Sequence, residues 1–175
     1  MGVFSADGVT LAYAWGPDDN WDEGVYLVRP ADGALLHTLP GFGDHWGSMA
    51  FSLDGQILAV GSQYGVIRLW RVQDGMLLHT LELCPGCATR GMMCLLLVTD
   101  LAFSSDGTVL AVGVGGVANR GRDSAVRLWS VDEGTLLATL EGHRWDIAAL
   151  AFSPDGTLLA TGSKDGTIRL WGVLP

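Results

Sequence analysis

The 175 residues are 49% hydrophobic, include 25 glycines and carry a formal net charge of −9, which suits one compact, turn-rich domain with a large core and excludes a disordered chain. Ten basic residues, only one of them lysine, form no stripe able to release counterions from nucleic acid, and no stretch approaches the ~18 apolar residues of a membrane span. Met1 to Asp7 has neither the charged nor the apolar region of a secretory leader, and Ala6 stands where a myristoylation signal wants a hydroxyl.

Short apolar runs separated by turn signals read as strands. The element Phe-Ser-x-Asp-Gly occurs at Phe4, Phe51, Phe103 and Phe152, at intervals of 47, 52 and 49 residues, so the chain divides into units of about 1–40, 41–82, 83–141 and 142–175, each built from strands a to d. In the first unit Met1–Phe4 supplies half of strand a, Val9–Ala14 strand b, Val25–Val28 strand c and, after the turn Ala31-Asp32-Gly33, Leu35–Leu39 strand d. Strand d recurs at Leu77–Leu81 and Leu136–Leu140 after Gln73-Asp74-Gly75 and Asp132-Glu133-Gly134. His37 and His79 read as ordinary edge-strand residues, and His45 as a loop residue. In the last unit Ile147–Phe152, Leu158–Ala160 and Ile168–Trp171 are strands a, b and c, and the remaining residues to Pro175 leave no room for strand d. Much of the acidity, including Asp7, Asp54, Asp106 and Asp155, falls in these turns.

Gly142-His143, a strand ending in Phe152-Ser153-Pro154-Asp155-Gly156, then Ser163-Lys164-Asp165-Gly166 and a strand closing on Trp171 together resemble one blade of the WD-repeat β-propeller family. The likeness covers nearly the whole chain and weakens toward the first unit. It implies an all-β propeller segment of about four four-stranded antiparallel blades, the last without its outer strand. It also implies a hydrogen-bonded tetrad of His143, Thr161, Asp165 and Trp171. The residue types suit such a chain, because an indole N–H only donates, a hydroxyl does both, and imidazole passes a donor on to a carboxylate. The second unit keeps Trp70 but has Phe42, Val60 and Tyr64 at the other places, and the third keeps Asp123 and Trp129 with Cys94 and Val112. The first has Val28 for the tryptophan. Thr161, His143 and Asp165 are also the types of a nucleophile, base and orienter, but the spacing is that of a blade and the hydroxyl is committed to Trp171. Neither catalysis nor a cofactor is expected.

A four-stranded meander sends its a–b and c–d turns to one rim and its b–c and d–a connections to the other. The first set is uniform, whereas the insertions Pro17–Gly24, Leu83–Val98 and Gly115–Asp123 all belong to the second. Variable loops on a rigid scaffold are where binding concentrates. They bring Trp15, Asp18, Asp19, Trp21, Arg120 and Arg122 to one rim, with Arg144 and Trp145 nearby, and Trp and Arg are enriched at binding hot spots. The family's usual work implies a scaffold that holds partner proteins on this rim, cytoplasmic, without nucleic-acid or membrane partners. Two alternatives are a regulatory or sensor part of a larger multidomain signalling protein, and a metal or redox site at Cys84, Cys87 and Cys94. The three cysteines lack the fourth ligand and second paired motif of a zinc site, so no metal is expected, and one thiol stays unpaired in any disulfide scheme, which favours a reducing compartment. Propeller rings close with ~4–8 blades, and Met1 lies within strand a, so no earlier strand completes the last blade. A fragment of a longer propeller is expected, with a self-associated ring of two chains as the alternative.

Overall fold

A computed structural model describes residues 1–14, 24–41, 46–85, 96–116 and 124–172. Among these residues there are four antiparallel sheets and no helix, each sheet a meander whose strands pair in chain order. The first comprises β1 (Gly2–Phe4), β2 (Leu11–Ala14), β3 (Val25–Arg29) and β4 (Ala34–Leu39). The second comprises β5 (Trp46–Phe51), β6 (Ile57–Ser62), β7 (Val66–Arg71) and β8 (Met76–Glu82). The third comprises β9 (Leu96–Phe103), β10 (Val109–Gly116), β11 (Val126–Ser130) and β12 (Leu136–Leu140). The fourth has three described strands, β13 (Ile147–Phe152), β14 (Leu158–Ser163) and β15 (Ile168–Gly172). The arc of sheets is unclosed.

One turn is built four times. The Ser hydroxyl donates to the Asp carboxylate at 2.6 Å in Ser5–Asp7, Ser52–Asp54 and Ser104–Asp106, and the Ser153–Asp155 pair bonds likewise. Each carboxylate also accepts the backbone N–H two residues on, from Val9, Gln56, Thr108 and Thr157. The serine oxygen in turn accepts an N–H from Thr10, Ile57, Val109 or Leu158, at the entry to strand b. The glycine that follows lies at φ 71° in Gly8 and 74° in Gly107, a left-handed conformation that side chains resist. β2 begins at Leu11 rather than at Val9, the Val9 and Thr10 N–H groups being turned to the Asp7 carboxylate and the Ser5 hydroxyl.

The core lies between sheets. Ala12, Val25 and Leu27 of the first pack on Met49, Leu58, Val60 and Trp70 of the second. Ala59, Ile67 and Leu69 meet Leu101, Leu110, Val112 and Trp129, and Ala111, Val126 and Leu128 meet Leu150, Leu159 and Trp171. The third sheet reaches further into the expected insertions than the sequence pattern suggests, because β9 and β10 stay paired beyond a bulge at Thr99, out to Leu96 and Gly116. That extension carries Val98 onto Gly61, where an added Cβ would lie 2.4 Å from Val98 Cγ1, so only glycine admits the approach. In the three complete sheets the c–d register also slips beside the Trp position, at Leu27/Val28, Leu69/Trp70 and Leu128/Trp129. Such bulges twist a strand locally.

Candidate functional site

The structure brings His143, Thr161, Asp165 and Trp171 together. Trp171 Nε1 donates to Thr161 Oγ1 at 2.9 Å, His143 Nε2 lies 2.8 Å from the same oxygen, and His143 Nδ1 lies 3.0 Å from Asp165 Oδ2. A carboxylate only accepts, so Nδ1 carries the proton, and a neutral ring then leaves Nε2 to accept the Thr161 O–H. Thr167 Oγ1 also lies 3.3 Å from Nδ1, and its hydroxyl donates to Asp165 Oδ1 at 2.6 Å. The Thr167 hydroxyl, then the Arg144 N–H, then His143 hold the Asp165 carboxyl far below the usual carboxylate range. Thr161 is fully buried, and its oxygen is occupied on both sides, so it presents no nucleophile to solvent.

Asp7, Asp54, Asp106 and Asp155 are also held low, with the serine hydroxyl of each turn as the largest cause. A carboxyl whose folded pKa lies below its unfolded value contributes stability that is complete above about pH 4 and lost as the pH falls through that region. The thermal midpoint is therefore expected to be flat between about pH 5 and 7 and to fall below about pH 4. The double substitution Asp54→Asn, Asp106→Asn should melt lower than the parent at neutral pH, with a gap that narrows in acid. A gap independent of pH in a titrated melting series contradicts this account.

In the other sheets the polar chain is interrupted. Trp70 and Trp129 are buried, and Trp129 Nε1 has no hydrogen-bond partner among the described residues, Val112 standing where the fourth sheet has Thr161. Asp123 lies outside the described residues. Sequence reasoning missed a set of inter-sheet clamps. Arg68 Nη1 donates to the carbonyls of Pro40 and Gly41 at 3.2 and 2.7 Å, and Arg127 Nη1 to that of Leu83 at 2.6 Å, each tying strand c to the end of the preceding sheet. Arg169, at the equivalent place, lies 6.0 Å from the Trp171 ring centroid. The recurring Arg-Leu-Trp triplet was the available signal. His37 and His79 are likewise more than edge residues. Their Nε2–H groups donate to the carbonyls of Gln73 and Asp132 in the next sheet's turn, at 3.2 and 2.9 Å, and their rings cover Gly75 and Gly134.

On the rim of the b–c and d–a connections, Trp145 is 57% exposed and Arg144 is exposed beside it. Trp15, Asp18, Asp19, Trp21, Arg120 and Arg122 lie outside the described residues. On the opposite rim the inner strands surround an open cavity of about 610 Å³, lined by residues such as Phe4, Met49, Leu101 and Phe152 and, among the described residues, by no acid, base or thiol. Cys84 is disulfide-bonded, which runs against the reducing compartment expected from the odd cysteine count, because disulfides form and persist in oxidising surroundings; Cys87 and Cys94 lie outside the described residues. No group of three or more metal-ligating side chains occurs among the described residues, nor any helix long and apolar enough to cross a membrane.

Four sheets with repeated turns and buried strand-c tryptophans define a propeller-type repeat domain. The family described as "WD domain, G-beta repeat" matches residues 33–71, 95–130 and 134–172, and the chain belongs to this WD40 repeat family. WD40 domains generally serve as protein-interaction scaffolds. Each matched stretch that begins on an outer strand, such as 134–172, runs from strand d of one sheet through a, b and c of the next. The chain is 36% identical over 118 residues to coronin-7 of Rattus norvegicus, covering 67% of this chain and 12% of that protein. It is 33% identical over 129 residues to WD repeat and SOCS box-containing protein 1 of Homo sapiens, covering 73% and 27%. Its likeness to WD repeat-containing protein SL1-17 of Schistosoma mansoni is 30% over 174 residues, 99% of this chain and 51% of that one. The chain thus spans between about an eighth and a half of the length of these relatives. The crystal structure of the computationally designed Ika4 protein shares the fold, with a TM-score of 0.71 and 22% identity over 94% of this chain and 86% of that one.

Proposed function

We propose that the protein is a non-catalytic scaffold that binds a partner protein on the rim of its b–c and d–a connections. The observation that supports this reading is the contrast between rims. One is four copies of a hydrogen-bonded Ser-Asp turn with its polar groups satisfied internally, and the other carries all the length variation together with the exposed Trp145. A large exposed indole beside an arginine is the composition that interface hot spots favour. The tetrad of the fourth sheet, on this proposal, holds strand c to the loop before strand a and does no chemistry.

The experiment is quantitative affinity capture with the wild-type chain, the double variant Arg144→Ala, Trp145→Ala, and a control variant Leu53→Ala on the turn rim. Loss of the captured protein with the first variant alone, at an unchanged melting temperature, is the expected result. Capture that survives the first variant and fails with the control places the partner on the other rim and defeats the proposal.

A further inference from the structure

The four sheets bear the same residues on the side each turns toward its successor. Ala12 pairs with Leu27, and Ala14 with Val25; Ala59 pairs with Leu69, and Gly61 with Ile67; Ala111 pairs with Leu128, and Gly113 with Val126. In these three sheets the leucine and its β-branched neighbour are at most 8% exposed, because the next sheet covers them. The fourth sheet repeats the pattern, Ala160 pairing with Leu170 and Gly162 with Ile168. There Leu170 is 67% exposed and Ile168 79%.

What covers this side inside the chain is also constant: a leucine of strand b and the large residue paired with it in strand c, as in Leu58–Trp70, Leu110–Trp129 and Leu159–Trp171. The first sheet carries the same pair as Leu11–Val28. Leu11 is only half-buried where Leu58, Leu110 and Leu159 are fully buried, and Phe4 beside it is largely exposed. Tyr13 stacks on Tyr26 with centroids 5.3 Å apart on this side, adding aromatic bulk where the first sheet lacks the indole. Among the described residues there is therefore one uncovered face of each kind, and three junctions in which such faces meet.

We infer that the exposed face of the fourth sheet is the docking site for the first sheet of a second copy. Two chains related by a two-fold axis make the junction twice, Leu170 and Ile168 of each meeting Leu11, Tyr13 and Val28 of the other. Both loose faces are consumed, and four sheets plus four give a ring at the upper end of the ~4–8 blades that propellers adopt. This goes beyond partner binding on the loop rim, since neither face belongs to that rim.

Sedimentation equilibrium of the 175-residue chain tests it, with twice the 18.5 kDa chain mass expected. Leu170→Arg alone and Tyr13→Arg alone should each return the mass to one chain, because each removes one half of both junctions. Mixing the two variants should restore a dimer, held by the one junction whose faces are both intact. Ile168→Lys replaces Leu170→Arg should that variant lose its strand circular dichroism. A wild-type chain that stays monomeric overturns the inference and gives the covering role to blades of a longer chain. A dimer that Leu170→Arg breaks and Tyr13→Arg leaves intact also overturns it, since it joins like faces.

Discussion

Trp70→Ala is expected to lower the unfolding free energy by about 3–5 kcal/mol, the range for emptying a buried aromatic site, as read from the midpoint of urea denaturation. Trp70 sits in the junction between the first and second sheets, against a wall that includes Ala12 and Leu27. The backbone around it is pinned by ladder bonds on both sides, from β6 and β8, so the cavity cannot collapse cheaply. Trp171, the equivalent in the fourth sheet, is only half-buried and pairs on one side alone among the described residues. Its truncation should cost less. Trp145→Ala should leave the midpoint unchanged, since that ring stands largely in solvent. Equal losses at Trp70 and Trp145 would contradict the division between scaffold and rim.

Thr161→Val is the second large effect, expected to cost about 2–4 kcal/mol although the two side chains have nearly the same shape. The valine would leave Trp171 Nε1 without an acceptor and His143 Nε2 without its donor, inside a site where Thr161 is fully shielded from water. Thr161→Ser keeps the oxygen and should recover most of the loss, which separates the hydroxyl from the methyl group in one pair of melting curves. The third sheet tolerates Val112 at this place, with Trp129 Nε1 unpartnered among the described residues. There the tryptophan is held by packing on both sides of its sheet, from the second and fourth, a support that Trp171 lacks.

Strand identity was legible because each run lies between turns whose chemistry is local. Ser104 and Asp106, for example, close their turn through bonds that span only a few residues, so the sequence neighbourhood contains the whole cause. The tetrad was legible for a related reason: His143, Thr161, Asp165 and Trp171 stand at the offsets of a family motif. The clamps made by Arg68, Arg127, His37 and His79 were not. Each joins a side chain to a carbonyl in another sheet, 27 residues away for Arg68 and Gly41 and 53 for His79 and Asp132. No property of the donor residue names that acceptor. The bulges beside Val28, Trp70 and Trp129 escaped for the same cause, since register is decided by both strands together.

The offset between repeat and sheet has a consequence for how such arcs grow. A stretch like 134–172 gives its first strand to the sheet behind and its other three to the sheet ahead. Copying it in tandem lengthens the arc at any internal position with every new hydrogen-bonding edge already matched. Whatever the number of copies, only the two extremities of the array stay raw, so natural selection has to solve the problem of loose ends just once.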